Sequence, residues 1–280
     1  VDRGGRASFD RVMAGLTLLK KHGFEFNTLT TVHRRNATAP LEVYRFLRSV
    51  GSGYIQFIPI VERNAAADST DGLWLAPPPE ADDSDGLDQQ VTEWTVRPID
   101  YGNFLCRIFD EWVQRDVGKV FVQHFDAALA NWVGQPAGVC IFSQDCGRGL
   151  AIEHNGDLYS CDHYVYPRYK LGNLLTTSLA AMVDSPQQQA FGRAKSESLP
   201  HTCRECPVRF ACHGECPKHR FLRTPTGEPG LNYLCAGYKK FFRHIDSPMR
   251  TMGALLGNRR APAEIMQLPR AHWLPAGRRA

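Results

Sequence analysis

Eight cysteines crowd the second half of this sequence at spacings that bring thiols together: Cys140-x5-Cys146, then Cys161, then Cys203-x2-Cys206-x5-Cys212-x3-Cys216, and finally Cys235. Soft thiolates held close in space select iron–sulfur clusters or zinc. A Cys-x2-Cys pair bends the chain so that both sulfurs face one ion, and eight cysteines make two complete four-thiolate sites. Spacing alone does not separate iron–sulfur clusters from two structural zincs in a non-catalytic binding module, because both take four cysteines. A disulfide framework fits poorly. Secreted disulfide scaffolds are shorter and carry a signal peptide, whereas this chain opens Val1-Asp2-Arg3 with no apolar leader. The ninth cysteine, Cys106, sits beside Ile108 and Phe109 and reads as a small buried hydrophobe.

Other residues could serve chemistry beside these thiols. Asp162 directly follows Cys161 and, on its own, reads as a loop aspartate capping a turn. His163, Tyr164 and Tyr166 come next, fit either to line a pocket or to pack around a metal site. Glu62 and Arg63 follow an apolar run, at the strand end where α/β sheets place their ligands.

The elements that would position these residues alternate between helix and strand. Phe9, Val12, Met13, Leu16 and Leu19 form an apolar stripe on a helix that Ser8 would cap and Gly23 would end. Phe24 to Val32 reads as a strand, Pro40 opens a second helix, and Tyr54 to Val61 is the continuous apolar run of a strand buried on both faces. This order predicts an α/β fold with a parallel sheet and right-handed crossovers. The segment from Asn64 to Asp88, with Pro77-Pro78-Pro79 and several aspartates, reads as a surface loop. A helix from about Pro98 carries Phe104, Leu105, Ile108, Phe109 and Trp112. A strand over Val120–Phe125 and a short helix capped by Asp126 follow. Within the cysteine-rich module, Asn155-Gly156 predicts a hairpin over Leu150–Cys161, and Leu179–Phe191 reads as one short helix.

Composition narrows the partners. A formal charge of +4, without a basic run interleaved with aromatics, gives no case for nucleic acid. No apolar stretch is long enough to span a bilayer, so a membrane is not expected and a cytoplasmic location is. Arginines among Pro and Ala near the end make residues 246–280 read as a basic, disordered tail.

The run Cys146-x9-Gly156-x4-Cys161, Cys203-x2-Cys206-x5-Cys212-x3-Cys216 and Cys235 resembles the seven-cysteine SPASM signature of radical S-adenosylmethionine enzymes. Cys140 supplies an eighth, as in the anaerobic sulfatase-maturating family. Ser8-Phe9-Asp10-Arg11-Val12, Phe26 through Val32, Gln56-Phe57-Ile58-Pro59, Cys161 through Val165 and Lys170-Leu171-Gly172-Asn173 resemble the same family. The resemblance moves the metal from zinc to two auxiliary 4Fe–4S clusters. It implies that residues 1–135 form the C-terminal part of a partial (β/α)6 barrel with linking helices, and that 136–245 form a SPASM domain of hairpin and short helices. Cys140, Cys146, Cys161 and Cys216 would hold the first cluster. Cys203, Cys206, Cys212 and Cys235 would hold the second. Asp162 matches the family's general base, and Val61 a position that packs against the adenosyl group.

The implied reaction oxidises a Cys or Ser of an unfolded or nascent sulfatase polypeptide to Cα-formylglycine, with flavodoxin or ferredoxin as electron donor. A related radical enzyme acting on another peptide remains the alternative. The family's Cys-x3-Cys-x2-Cys loop, which holds a third 4Fe–4S cluster and S-adenosylmethionine, does not occur in this sequence. The expectation is therefore of an N-terminally truncated chain, inactive alone.

Overall fold

The computed structural model describes residues 5–64, 78–79 and 91–273. The first region is built on a three-stranded parallel sheet. Strands β1 (Asn27–Val32) and β2 (Tyr54–Pro59) pair in parallel from Asn27 opposite Tyr54 to Val32 opposite Pro59. Strand β3 (Phe121–Val122) pairs in parallel on the far side of β2. Helix α1 (Phe9–Lys21) precedes β1, helix α2 (Pro40–Ser49) links β1 to β2, and helix α3 (Pro98–Arg115) lies between β2 and β3. The mixed α/β architecture expected from the alternation is present.

The core lies between this sheet and α3. Phe57 meets Phe104 edge-on at 5.0 Å, and Phe109, Trp112 and Phe125 cluster behind them. Each such ring contributes about 1.5–3 kcal/mol by leaving water. Cys106 is buried in this core, and so is Val61 just beyond β2.

Two expectations about burial fail. The strand β2 is not buried on both faces: Ile55 and Phe57 point inward, while Tyr54 and Ile58 are exposed. Likewise α1 buries none of its apolar stripe, although Phe9 touches Phe46. Hydrophobic sequence did not translate into buried surface at these positions. Ser8 makes no side-chain cap, whereas Gly23 ends the helix with φ +71 as expected.

The stretch Val120–Phe125 is a strand only at Phe121–Val122. Helix α4 (Gln123–Trp132) starts at once, with Asp126 in its first turn and not at its cap. Burial pushes the Asp126 carboxyl up to about 7.

The cysteine-rich region is mostly turns. Strands β4 (Ala151–Ile152) and β5 (Asp157–Tyr159) form the expected hairpin with Ile152 opposite Leu158, and β6 (Lys170–Asn173) adds a third antiparallel strand. The single helix expected at Leu179–Phe191 is two, α5 (Leu179–Val183) and α6 (Pro186–Glu197). Ser185 caps the second by accepting from the Gln188 N–H, and Pro186 occupies its first turn, which forces the break. Short helices α7 (His201–Arg204) and α8 (Arg209–Cys212) follow, then a two-stranded ribbon of β7 (Leu222–Arg223) and β8 (Pro229–Leu231).

The disordered tail expected from residue 246 is corrected as well. Helix α9 runs from Cys235 to Gly257, so a boundary after 245 would cut it. Tyr238, Phe241, Phe242, Ile245, Met249, Met252 and Leu255 make one buried stripe that carries the helix through Pro248. Beyond it Ile265 and Trp273 are buried as well. α9 crosses α3 where Gly102 and Gly237 meet; a Cβ on Gly237 would lie 2.0 Å from the Pro98 carbonyl oxygen. The helix that begins at Cys235 is thereby fixed to the first region. The expected loop at 64–88 falls outside the described residues apart from Asn64 and Pro78-Pro79, as do residues 274–280 of the tail. No described helix is long and apolar enough to cross a membrane.

Candidate functional site

The nine cysteines, all among the described residues, form no disulfide. Eight of them sort by mutual electrostatic influence into two sets. Cys140 acts on Cys146 and on Cys161, and both of those act on Cys216. Separately, Cys235 acts on Cys203 and Cys212, while Cys206 acts on Cys203 and Cys235. These are the residues named above as the first and second ligand sets.

Local structure explains how distant residues converge. Cys140 opens a single 3-10 turn, Cys140–Phe142. The Cys146 N–H donates to the Gly192 carbonyl on α6, where a side chain at Gly192 would collide with Cys146. Cys161 follows β5, Cys203 lies in α7, and Cys212 ends α8. His213, Gly214 and Glu215 then all take left-handed conformations, which turns the chain back within three residues to deliver Cys216 to the other set. Cys235 starts α9, its N–H bonded to the Asn232 carbonyl.

Burial pushes these thiols up: Cys203 to about 11, Cys161 and Cys212 to about 12, with Cys146, Cys216 and Cys235 also raised. Thiols raised in this way do not ionise unaided near neutral pH. A cation of soft character is what such a set accommodates, since it takes the place of the protons. The donor chemistry fits a thiolate-ligated cluster or metal ion.

Asp162 stands at the edge of the first set. It begins the turn Asp162–Tyr164, is exposed, and its Oδ1 accepts a hydrogen bond from the Cys161 thiol at 3.1 Å. His163 Nδ1 lies 3.4 Å from the Cys216 sulfur, and Tyr164 is buried against Tyr169 and Phe191. The strand β6 supports this turn from below. Lys170 pairs with Asp157 at 2.7 Å and Asn173 donates to the same carboxylate, and the two hold its pKa below the usual carboxylate range. Val61 is 3% exposed and belongs to the hydrophobic core.

Sequence reasoning missed several polar residues. Glu62, given no role, pairs with Lys218 at 3.1 Å and so ties the end of β2 to the turn after Cys216. Glu215 is 2% exposed. Burial opposes its charge, yet the His219 imidazole at 3.0 Å and the Asn232 amide at 2.6 Å hold its carboxyl below the usual range. Lys195 and Arg220 are buried between the thiol sets. The i, i+4 spacing of Glu215 and His219 was the one available signal for any of them.

A family model described as an iron–sulfur cluster-binding SPASM domain matches residues 144–207. A serine-type anaerobic sulfatase-maturating enzyme of Bacteroides thetaiotaomicron is 49% identical over 263 residues, covering 94% of this chain and 62% of that protein. This chain is a homologue of the anaerobic sulfatase-maturating enzymes. A serine-type relative from Klebsiella pneumoniae is 33% identical over 250 residues, covering 89% of this chain and 55% of the relative. A cysteine-type relative from Clostridium perfringens (strain 13 / Type A) is 24% identical over 242 residues, covering 86% and 59%. The homologue thus spans at most about three fifths of the length of these relatives. The solved structure of anSMEcpe with bound AdoMet has the same fold, with a TM-score of 0.72 at 23% identity over 95% of this chain and 64% of that one. The structure of anSMEcpe with AdoMet and the Kp18Cys peptide matches equally, over 90% of this chain. Cys140, Cys212, Cys216 and Cys235 of the homologue lie outside the span of the SPASM match, although the fold brings each beside cysteines within it.

Proposed function

We propose that this chain forms the auxiliary-cluster and substrate-facing part of a radical S-adenosylmethionine enzyme that oxidises a sulfatase side chain to Cα-formylglycine. The observation that carries the reading is an exposed carboxylate, Asp162, within 3.1 Å of a sulfur in one of two four-thiol sets. Identity favours a serine as the residue oxidised, at 49% to a serine-type relative against 24% to a cysteine-type one. The AdoMet and the Kp18Cys peptide bound to the solved relative support S-adenosylmethionine and a peptide as ligands.

Cys140, Cys146, Cys161 and Cys216 would hold one 4Fe–4S cluster, and Cys203, Cys206, Cys212 and Cys235 the other. When bound, such a cluster supplies a one-electron acceptor in a site shielded from water. The reaction takes from the substrate a hydrogen atom at Cβ, the proton of its O–H or S–H, and one electron. Asp162 takes the proton. Its Oδ1 accepts from the Cys161 thiol in the metal-free chain. Once Cys161 is a ligating thiolate that donor is gone, and the oxygen is free to accept from substrate instead. His163 and Tyr164 wall the position, and the Glu62–Lys218 pair fixes it relative to the sheet. Val61 would back the adenosyl group from the end of β2.

Asp162→Asn tests this in the protein at the full length of its relatives. The variant should bind both clusters and cleave S-adenosylmethionine as wild type does, yet form about 10²- to 10⁴-fold less formylglycine on a sulfatase peptide. Formylglycine by mass spectrometry and 5′-deoxyadenosine by chromatography are read from one anaerobic reaction. Wild-type formylglycine yield would make Asp162 a turn residue and favour a different peptide-modifying activity.

A further inference from the structure

Two cations are buried among the thiols with neutral partners only. Lys195, in the last turn of α6, is 1% exposed, and Arg220 is 6% exposed. The Lys195 ammonium donates to the carbonyl oxygens of Cys140, Ile141 (3.1 Å) and Ser143 (2.6 Å). Three donors meet three acceptors, all from the turn that carries Cys140. The Arg220 guanidinium donates to the carbonyls of Gly214 (3.0 Å), His213 (3.1 Å) and Glu215 (3.2 Å), the left-handed loop between Cys212 and Cys216. It also donates to the Lys195 carbonyl at 2.6 Å, so the two clasps are one chain of hydrogen bonds. There is no slack in it: a Cβ on Gly214 would lie 2.6 Å from Arg220 Nη2.

Among the described residues neither cation has a carboxylate ion pair. The nearby Glu215 carboxylate is taken by His219 and Asn232. Burying a charge without an opposite one is strongly unfavourable. Two such charges between two sets of four thiols are balanced when those thiols are thiolates. Lys195 touches the loop of the first set, and Arg220 spans the loop that joins the sets.

We propose that Lys195 and Arg220 are the counter-charges of the two thiol sets, and that Lys195 both clasps the Cys140 turn and raises the reduction potential of the cluster held there. This rests on the reading that the sets hold iron–sulfur clusters. Net charge and hydrogen bonding around the sulfurs set the potential of a cluster. A fixed positive charge favours the reduced, more negative state and makes the cluster a better electron acceptor. Lys195 is thus a positioning residue, acting through the cluster and its loop.

The test is a redox titration followed by electron paramagnetic resonance on anaerobically reconstituted protein, beside iron release to a chelator. Lys195→Met removes the charge and the three donors. One of the two clusters should then titrate at lower potential and release its iron faster. Arg193→Met, the same charge change on the exposed side of α6, should alter neither. If Lys195→Met is insoluble, Lys195→Gln keeps amide donors without the charge, and its lowered midpoint decides the matter. Unchanged midpoints in iron-replete Lys195→Met or Lys195→Gln would overturn the proposal, as would an equal shift in Arg193→Met. Wild-type protein that takes up no iron would instead overturn the cluster reading, and this inference with it.

Discussion

In the first region the buried side chains are mostly aromatic and aliphatic: Phe57, Phe104, Phe109, Trp112 and Phe125 pack on one another behind the sheet, and the buried Asp116 and His124 each meet a tyrosine hydroxyl. In the cysteine-rich region they include a lysine, an arginine, a glutamate, a histidine and thiols that burial discourages from ionising. One region draws its stability from area removed from water. The other has invested its interior in polar groups that balance only when the thiols are thiolates. The difference teaches where each region is vulnerable. The first tolerates loss of metal and suffers from loss of packing; the second does the reverse. α9 couples them, because it begins at a cysteine of the second set and ends in the apolar core.

The largest expected effect breaks the comparison at the metal. Cys216 is buried, faces Cys146 and Cys161, and is joined by a three-residue loop to Cys212 of the other set. Removing iron, or replacing Cys216 by Ala, should destabilise the cysteine-rich region by an amount on the order of 10 kcal/mol, the scale of structural metal sites. Hydrogen exchange read by mass spectrometry should show lost protection over α6 to α8 while α3 and β2 keep theirs. Equal protection with and without metal would mean that the second region stands by packing, like the first.

A smaller effect sharpens the coupling. Gly237→Ala puts a Cβ 2.0 Å from the Pro98 carbonyl, and backbone cannot step aside as a side chain tip can. Overpacking of this kind costs about 1–3 kcal/mol. The chemical-denaturation midpoint should fall, and iron should leave the second set sooner because α9 carries Cys235. Gly253→Ala, whose Cβ would meet only the Val133 Cγ1 at 3.3 Å, should do much less. Equal behaviour of the two variants would refute the view that α9 couples the regions at this crossing.

Much of this was legible in the residues, for physical reasons that also explain the failures. Cysteine spacing survives any fold, because ligands must meet whatever the path between them. Asn155-Gly156 dictates a hairpin locally, with Gly156 at φ +85. The apolar periodicity of α3 predicted its buried face. The same periodicity misled for α1 and for the outer face of β2, since an apolar stripe says a surface is to be covered and not whether a described residue covers it. The helix from Cys235 into the supposed tail had its stripe in plain view, at Tyr238, Phe242, Ile245, Met249 and Met252, and was masked by the arginines that follow. Lys195 and Arg220 were not legible at all. A charged residue on a helix or in a turn looks solvated until the fold shows three carbonyls converging on it.

The smallest effect at neutral pH for the metal-free chain, and the one that separates the regions most cleanly, is a change of sign with pH. In the metal-free chain burial raises the thiols from an ordinary 9.0 to about 12 for Cys161 and Cys212. The folded chain then keeps protons that the unfolded chain releases as pH climbs past 9. The unfolded state binds fewer protons, so stability is complete below pH 9 and is lost as pH rises toward 12. In the metal-loaded chain the ligating thiols carry no protons. The unfolded chain binds protons that the folded one does not, so stability is present above pH 9 and is lost as pH falls. The cysteine-rich region should therefore show opposite slopes in the two forms: steep below pH 9 when loaded, where the thiols of the unfolded chain are protonated and the ligating ones are not, and confined to pH above 9 when metal-free. The first region holds none of these thiols, and its pH dependence, set by groups such as Asp126 whose carboxyl burial raises to about 7, should be the same in both forms. Thermal melts of loaded and metal-free protein at pH 6, 7.5 and 9.5, with hydrogen exchange to assign each region, measure this. Parallel pH profiles in the two forms would mean that these thiols do not change protonation on loading, and the cysteines would lose their standing as ligands.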